Sequence, residues 1–179
     1  MKYLAVLSLF LFACRKSGQP PGLPAGNYFI CSINGVRDTF SVQYAQKEYD
    51  SLSPGGTTTA LSIIGSHNTM GTNVSFTINN FPSHDSITVG TYWDSSANFL
   101  TSGEYFIATG NYYDAGTSFY WASGQSDIPM QHHLEITIKH LDNTTVTGIF
   151  SGDFYYGDDY VNGARATITD GIFSVPVQP

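Results

Sequence analysis

The chain has 179 residues and a net charge of −7 at neutral pH, with 15% aromatic but only 12% charged side chains. From position 22 onward, four cationic side chains stand against all 14 acidic ones. Such an acidic surface repels phosphates and anionic lipid headgroups, so we expect neither nucleic-acid binding nor membrane docking through a basic face.

The start of the chain has the pattern of an export signal. Residues 3–12 form an apolar run that is too short for a membrane-spanning helix, which needs roughly 20 residues, but that suits a secretory signal. The following Leu11-Phe12-Ala13-Cys14 resembles a bacterial lipobox, in which the chain is cut before the cysteine and the thiol is lipidated. We therefore predict a signal peptide over 1–13 and a covalent lipid of the palmitate type on Cys14.

A tether is predicted between the lipid and the folded domain. Residues 14–25 are rich in proline and glycine and show no periodicity, which is typical of an extended linker. The remaining segment, 26–179, is long enough for one domain with a real core. Cys31 lies in an apolar run and would have no disulfide partner once Cys14 is lipidated, so we expect a buried, unreactive thiol there.

The domain has the patterns of β-strands throughout. Asn34-Gly35 separates two β-prone runs, which predicts a hairpin with a type I′ turn that pairs Ile33 with Val36 and Cys31 with Asp38. Further strands are indicated in the middle of the chain, where residues 73–79 alternate most clearly between apolar and polar side chains. About ten strands without a helix signal predict an all-β, antiparallel β-sandwich, with a β-barrel as the alternative.

The last third of the chain has two regular regions. Leu134, Ile136 and Ile138 share one face of a predicted strand. Near the end, Asp170-Gly171 separates two further β-prone runs. We therefore predict a second hairpin there, with Ile168 opposite Phe173 and Ala166 opposite Val175 on one face.

A family resemblance rests on both ends of the domain. Val146-Thr-Gly-Ile-Phe-Ser-Gly is followed by Ala166-Thr-Ile-Thr-Asp-Gly-Ile-Phe-Ser-Val-Pro, and the early Ile33-Asn-Gly-Val adds a hairpin. These motifs resemble small lipoproteins of Bacteroidetes that are defined by a domain of unknown function. The resemblance implies an all-β lipoprotein and supplies no catalytic residues. Arg15 is not the aspartate that resembles an inner-membrane retention signal, so we expect the outer membrane, on either its periplasmic or its outer surface.

Aromatic side chains are the most suggestive chemistry in the sequence. Several occur as adjacent pairs, such as Tyr92-Trp93 and Tyr120-Trp121. In a strand, one member of each pair points inward and the other outward. Exposed rings could stack on sugars or dock a protein, although they could equally serve as core and cross-strand pairs. The candidate ligand-binding residues are Trp93, Tyr113, Trp121, Tyr156 and Tyr160.

Metal and catalytic sites have less support. His133 and Glu135 share a strand face, but zinc needs three or four ligands. Asp153, Asp158 and Asp159 are candidate calcium ligands, although their spacing does not match an EF-hand and a solvated acidic turn is the alternative interpretation. No nucleophile elbow, phosphate-binding loop or dinucleotide motif occurs. We therefore expect no metal, and no cofactor beyond the lipid on Cys14.

The sequence as a whole favours a lipid-anchored protein of the cell envelope that binds a glycan or a protein without catalysis. A structural or assembly subunit of an outer-membrane complex, pairing through a sheet edge, is the second interpretation. A hydrolase built on paired carboxylates is the third.

Overall fold

The computed structural model describes residues 25–50, 57–68, 71–81, 86–94, 105–115, 118–122, 133–156 and 165–178. The predicted signal peptide, Cys14 and almost all of the predicted tether lie outside these ranges. Every regular element among the described residues is a strand, so the all-β prediction is confirmed. The eleven strands are β1 (Tyr28–Ile33), β2 (Val36–Thr39), β3 (Val42–Asp50), β4 (Thr57–Ser66), β5 (Asn73–Phe81), β6 (Gly90–Trp93), β7 (Tyr105–Asp114), β8 (Ser118–Ala122), β9 (Glu135–Leu141), β10 (Thr145–Tyr156) and β11 (Arg165–Gln178).

The strands form one sheet that nearly closes on itself. Its order is β2-β1-β11-β3-β4-β5-β7-β8-β10-β9-β6, and β11 pairs in addition with β10. This extra ladder joins β11, β3, β4, β5, β7, β8 and β10 into a barrel-like ring, which fits both the sandwich and the barrel predicted from the sequence. All pairs are antiparallel except β11–β3, which is parallel through Val177 opposite Ala45 and Gln178 opposite Gln46.

The first predicted hairpin is confirmed in its register. Ile33 lies opposite Val36 and Cys31 opposite Asp38. Asn34 and Gly35 both have positive φ, at 50° and 80°, as the mirror-image turn requires. The turn is fixed further by Asn34, whose side-chain oxygen accepts a hydrogen bond from the Thr167 N–H at 2.9 Å.

The second predicted hairpin is wrong. Residues 165–178 form one continuous strand, β11, and Asp170-Gly171 lies within it as a β-bulge. Between Ile30 and Ser32 of β1 there is one residue, whereas β11 has two residues between the corresponding partners Ile172 and Thr169. Asp170 has a φ of 51°, a backbone shape that a turn and a bulge share.

The bulge shifts the inward–outward alternation of β11 by one residue, so even-numbered residues face the core before it and odd-numbered residues face the core after it. Before it, Ala166 and Ile168 are buried; after it, Phe173 and Val175 are buried. These four side chains are the ones that the predicted hairpin had placed on one face. Their shared face is therefore correct, but a bulge and not a reversal of the chain produces it.

Pro176 lies inside β11 although proline lacks the N–H that a strand donates. The N–H of the next residue, Val177, donates to Thr144 O on the β10 side at 2.9 Å. Because neighbouring residues of a strand point their N–H groups to opposite edges, the Pro176 nitrogen faces the other edge. On that edge the ladder with β1 ends at Ser174, which lies opposite Tyr28, and the ladder with β3 begins at Val177, which lies opposite Ala45. Pro176 lies between the two ladders, so neither ladder needs an N–H from it.

The core is centred on a cluster of phenylalanine rings. Phe29 is completely buried, and its ring lies 5.0 Å from Phe150, 5.3 Å from Phe40 and 5.7 Å from Phe76, measured between centroids. Such offset and edge-on contacts add about 0.5–1.5 kcal/mol per pair beyond burial. The cluster holds together strands from the two ends of the chain.

The β9–β10 turn has the chemistry that Leu141-Asp-Asn-Thr144 predicts. Asp142 Oδ1 accepts hydrogen bonds from the N–H groups of Thr144 and Thr145 at 2.7 and 2.8 Å. These bonds, together with His140 at 2.9 Å, hold the pKa of the Asp142 carboxyl well below its usual range. Lys47 Nζ donates to Asp142 O at 2.6 Å and ties this turn to β3.

Gly148 marks a place where two strands and the core meet without room for a side chain. A Cβ there would collide with the carbonyl oxygen of Thr137 and the ring of Phe173. We expect Gly148→Ala to lower the free energy of unfolding by about 2–3 kcal/mol, because the obstructing carbonyl belongs to a paired strand and cannot rotate away. Equilibrium denaturation in urea measures this difference.

Gly90 provides the matched control for this substitution. The nearest atom to a Cβ at Gly90 is Tyr92 Oη at 3.8 Å, so Gly90→Ala should change the free energy of unfolding by less than about 1 kcal/mol. Equal losses in the two variants would contradict the close approach at Gly148.

Candidate functional site

An exposed tryptophan stands on the outer face of the sheet where β6 pairs with β9. Tyr92 is buried, whereas Trp93 keeps 41% of its surface exposed, so this pair divides between core and surface as its adjacency predicts. Trp93 lies directly opposite Glu135 of β9, which in turn lies opposite Ser151 of β10. An aromatic ring, a carboxylate and a hydroxyl thus stand in one row across three strands.

The indole of Trp93 is held by its neighbour across the ladder. Its Nε1–H donates to Glu135 Oε2 at 3.0 Å. This bond satisfies the polar end of the ring and restricts its rotation while the apolar surface of the ring stays open. The second oxygen of Glu135 keeps its capacity to accept a hydrogen bond.

A buried carboxylate supports the histidine beside this row. Asp94, which follows β6, is 1% exposed. Its Oδ2 accepts the Leu134 N–H at 3.0 Å, and its Oδ1 lies 3.0 Å from His133 Nδ1. Burial raises the pKa of the Asp94 carboxyl above its ordinary 3.8, while the hydrogen bonds from Leu134 and His133 oppose that rise.

The surface formed by Trp93, His133, Glu135 and Ser151, with the buried Asp94 beneath it, is called the Trp93 face below. The strand alternation of His133, Leu134 and Glu135 gave the correct outward direction of two of its members. Asp94 was missed, because its contact with His133 joins residues 39 positions apart and no local pattern specifies it.

Of the other predicted aromatic residues, Tyr113 is half-buried on β7, opposite Asn73 and Phe119. Trp121 of β8 lies opposite Tyr155, and Tyr156 of β10 lies opposite Tyr120. The side chains of Trp121 and Tyr156 lie outside the described part of the structure. Tyr160 lies outside the described residues altogether.

Of the three candidate calcium ligands, Asp153 lies among the described residues. Asp153 is fully buried and therefore does not lie in a solvated turn. Its carboxylate accepts a hydrogen bond from Thr167 Oγ1 at 2.8 Å and contacts Arg165 Nη1 at 3.3 Å. Asp158 and Asp159 lie outside the described residues. Among the residues that are described, no group of three or more His, Cys, Asp or Glu side chains is arranged to hold a metal ion.

A concave region lies beside the first hairpin, away from the Trp93 face. Asp38 Oδ1, at its wall, accepts the Thr39 N–H at 2.8 Å and lies 2.8 Å from His67 Nε2. The His67 ring stacks on Phe40 at 4.8 Å, so the Asp38–His67 pair fastens the hairpin to the end of β4. The cleft has a volume of about 480 Å³ and is lined by Ile33, Asn34, Val36, Arg37, Asp38, Thr72 and Tyr112.

The fold and the site define an all-β domain that presents a tryptophan–carboxylate face, with no helix in its described part that is long and apolar enough to cross a membrane. No protein-family model matches the chain. Searches of curated proteins and of solved structures also found no match.

Cys31 is a free cysteine, and its surroundings lower the reactivity of its thiol. The side chain is buried, and burial, followed by the charge of Asp38, raises the pKa of the thiol to about 12. Only the thiolate reacts readily, so the expected unreactive thiol agrees with the structure.

We predict that Cys31 resists alkylation in the folded protein. In a Cys14→Ser variant, which leaves Cys31 as the single thiol, iodoacetamide should label almost no protein under native conditions. The same reagent should label every chain after unfolding in guanidinium chloride. Mass spectrometry of the intact protein reads both states, and rapid native labelling would contradict the burial of Cys31.

Proposed function

We propose that this chain is a lipid-anchored, non-catalytic module of the bacterial cell envelope that binds a glycan through the Trp93 face. The observation that carries the proposal is the exposed indole of Trp93, hydrogen-bonded to Glu135 and set in a row with Ser151. Each of these groups has a part in sugar recognition that follows from its chemistry.

Sugars offer two kinds of surface to a protein. The C–H groups of a pyranose ring form an apolar face that packs on the flat indole of an exposed tryptophan, which offers large and rigid contact area. The hydroxyl groups around the ring need hydrogen-bond partners, and Glu135 and Ser151 lie beside the indole to supply them. Because Trp93 is already oriented by Glu135, little rotational freedom is lost when a ligand binds.

The anchoring and location follow from the start of the chain. The lipobox-like Leu11–Cys14 and the likeness of both domain ends to Bacteroidetes lipoproteins support attachment at the outer membrane. Two or three acyl chains on Cys14 would anchor the protein stably, whereas one chain alone binds a membrane marginally. The acidic domain would then stand off the anionic headgroups at the end of its tether.

The alternative that the protein is an assembly subunit pairing through a sheet edge has less support at the β2 edge. β2 is an edge strand of only four residues with the charged Arg37 and Asp38 in its middle. Phe40 donates inward to Phe29, so the N–H of its neighbour Thr39 points outward, and Asp38 occupies that donor. Short, charged edges of this kind discourage pairing with another chain.

Glycan binding should be lost when the indole is removed. We expect Trp93→Ala to weaken retention by a neutral polysaccharide about tenfold or more, because the variant loses the packing of the sugar ring on the indole. A tenfold loss corresponds to about 1.4 kcal/mol. Affinity gel electrophoresis across a panel of laminarin, xyloglucan, galactomannan and mannan provides the measurement.

Val42→Ala is the control for that experiment. Val42 lies on β3 and is 42% exposed, close to the 41% of Trp93, so its loss removes apolar surface away from the proposed site. Trp121→Ala tests the second candidate tryptophan in parallel. If the wild-type domain binds none of the polysaccharides, or if Trp93→Ala binds as the wild type does, the proposal is wrong.

The anchor can be tested independently of the ligand. In a bacterium with the lipoprotein pathway, we expect the mature chain to begin at Cys14 and to carry a lipid on its sulfur. Mass spectrometry of the N-terminal peptide identifies this product, and Cys14→Ser should remain unlipidated. An uncleaved wild-type chain with an unmodified Cys14 would refute the anchor.

A further inference from the structure

The Trp93 face is bordered by hydrogen-bond acceptors. We infer that Asp94, His133 and Glu135 make this face selective for neutral sugars, which donate hydrogen bonds from their hydroxyls, over sugars that carry a carboxylate. The inference rests on the glycan binding proposed above. It adds the class of glycan that is bound and the residues that determine this specificity.

The first step is the position of the proton on His133. The Leu134 N–H can only donate, and it occupies Asp94 Oδ2. The other oxygen, Oδ1, lies 3.0 Å from His133 Nδ1. An ionised carboxylate can only accept, so Nδ1 carries the proton of the neutral imidazole. The main chain of Asp94 is held in place as well, because its own N–H donates to Leu134 O at 3.1 Å.

The second step concerns the opposite nitrogen of the ring. With the proton on Nδ1, Nε2 presents a lone pair. The His133 side chain is 43% exposed, and no residue of the described structure hydrogen-bonds to Nε2. Asp94 is therefore a positioning residue that turns His133 into an outward-facing acceptor.

The third step compares how neutral and acidic sugars would meet the hydrogen-bond acceptors beside the Trp93 indole. Neutral His133 accepts through Nε2, and Glu135 accepts through the oxygen that Trp93 leaves free. Sugar hydroxyls can donate to both groups. A uronate carboxylate has no proton to give, and it meets the negative charge of Glu135, so it binds less well.

The test compares a neutral polysaccharide that the wild-type protein retains with the same polymer after oxidation of its C6 hydroxymethyl groups to carboxylates. At about pH 8, where histidine side chains are neutral, we expect the wild type to bind the neutral polymer at least about fivefold more tightly.

Two variants identify the groups responsible. In Asp94→Asn the single oxygen must accept the Leu134 N–H, so the amide NH₂ faces Nδ1 and moves the imidazole proton to Nε2. His133→Gln removes the ring lone pair, places at the surface an amide that donates as well as accepts, and does not depend on a buried substitution. Both variants should show a narrower preference for the neutral polymer than the wild type does. Glu48→Gln on β3 removes one negative charge elsewhere and should behave as the wild type does.

The outcomes separate this inference from the proposed function. A wild type that retains no neutral polysaccharide overturns both. A wild type that retains the neutral and oxidised polymers equally at about pH 8 overturns only the inference. Folded Asp94→Asn and His133→Gln proteins that keep the full wild-type preference overturn it as well, whereas narrowed preference in both, with Glu48→Gln unchanged, supports it.

Discussion

The architecture depends on the main-chain hydrogen bonds along both edges of β11. One edge pairs with β10 over almost the whole strand, and the other pairs first with β1 and then with β3. These ladders convert an open sheet into the nearly closed ring that encloses Phe29 and its neighbouring rings. The bulge at Asp170 is what allows one strand to serve both halves of this ring, since it restores the inward direction of Phe173 and Val175 after the sheet has bent.

The position of the Trp93 face depends on β11 through a series of strand pairings. β10 is fixed by β11, β9 pairs with β10, and β6 pairs only with β9 among the described strands. Trp93, Glu135 and Ser151 belong to this succession of ladders, and Asp94 and His133 directly flank it. Buried Tyr92 and Leu134 secure the inner side of the same two strands, so the outward side chains stand on a rigid base.

Local chemistry explains which parts of the structure could be predicted. Asn34-Gly35 determines its hairpin by itself, because both residues accept positive φ and the flanking runs are short. Asp170-Gly171 carries nearly the same local signal, yet the ladders on both sides of β11 hold it straight, and those ladders join residues distant in sequence. The site divides in the same way: alternation predicts that His133 and Glu135 share a face, while the buried Asp94 beneath them depends on the pairing of β6 with β9.

The place of β11 in the order of strands has a consequence for how the protein folds. Its three partners β1, β3 and β10 all precede it, and Ile30 must find Ile172 across nearly the full length of the domain. Contacts of such high sequence separation form slowly, because the loop entropy is lost before the contact is gained. Phe29 gains its contact with Phe173 only when β11, the last of the described strands, is in place. Late closure of the ring through this strand would suit a polypeptide that crosses a secretory channel unfolded, as the proposed export requires.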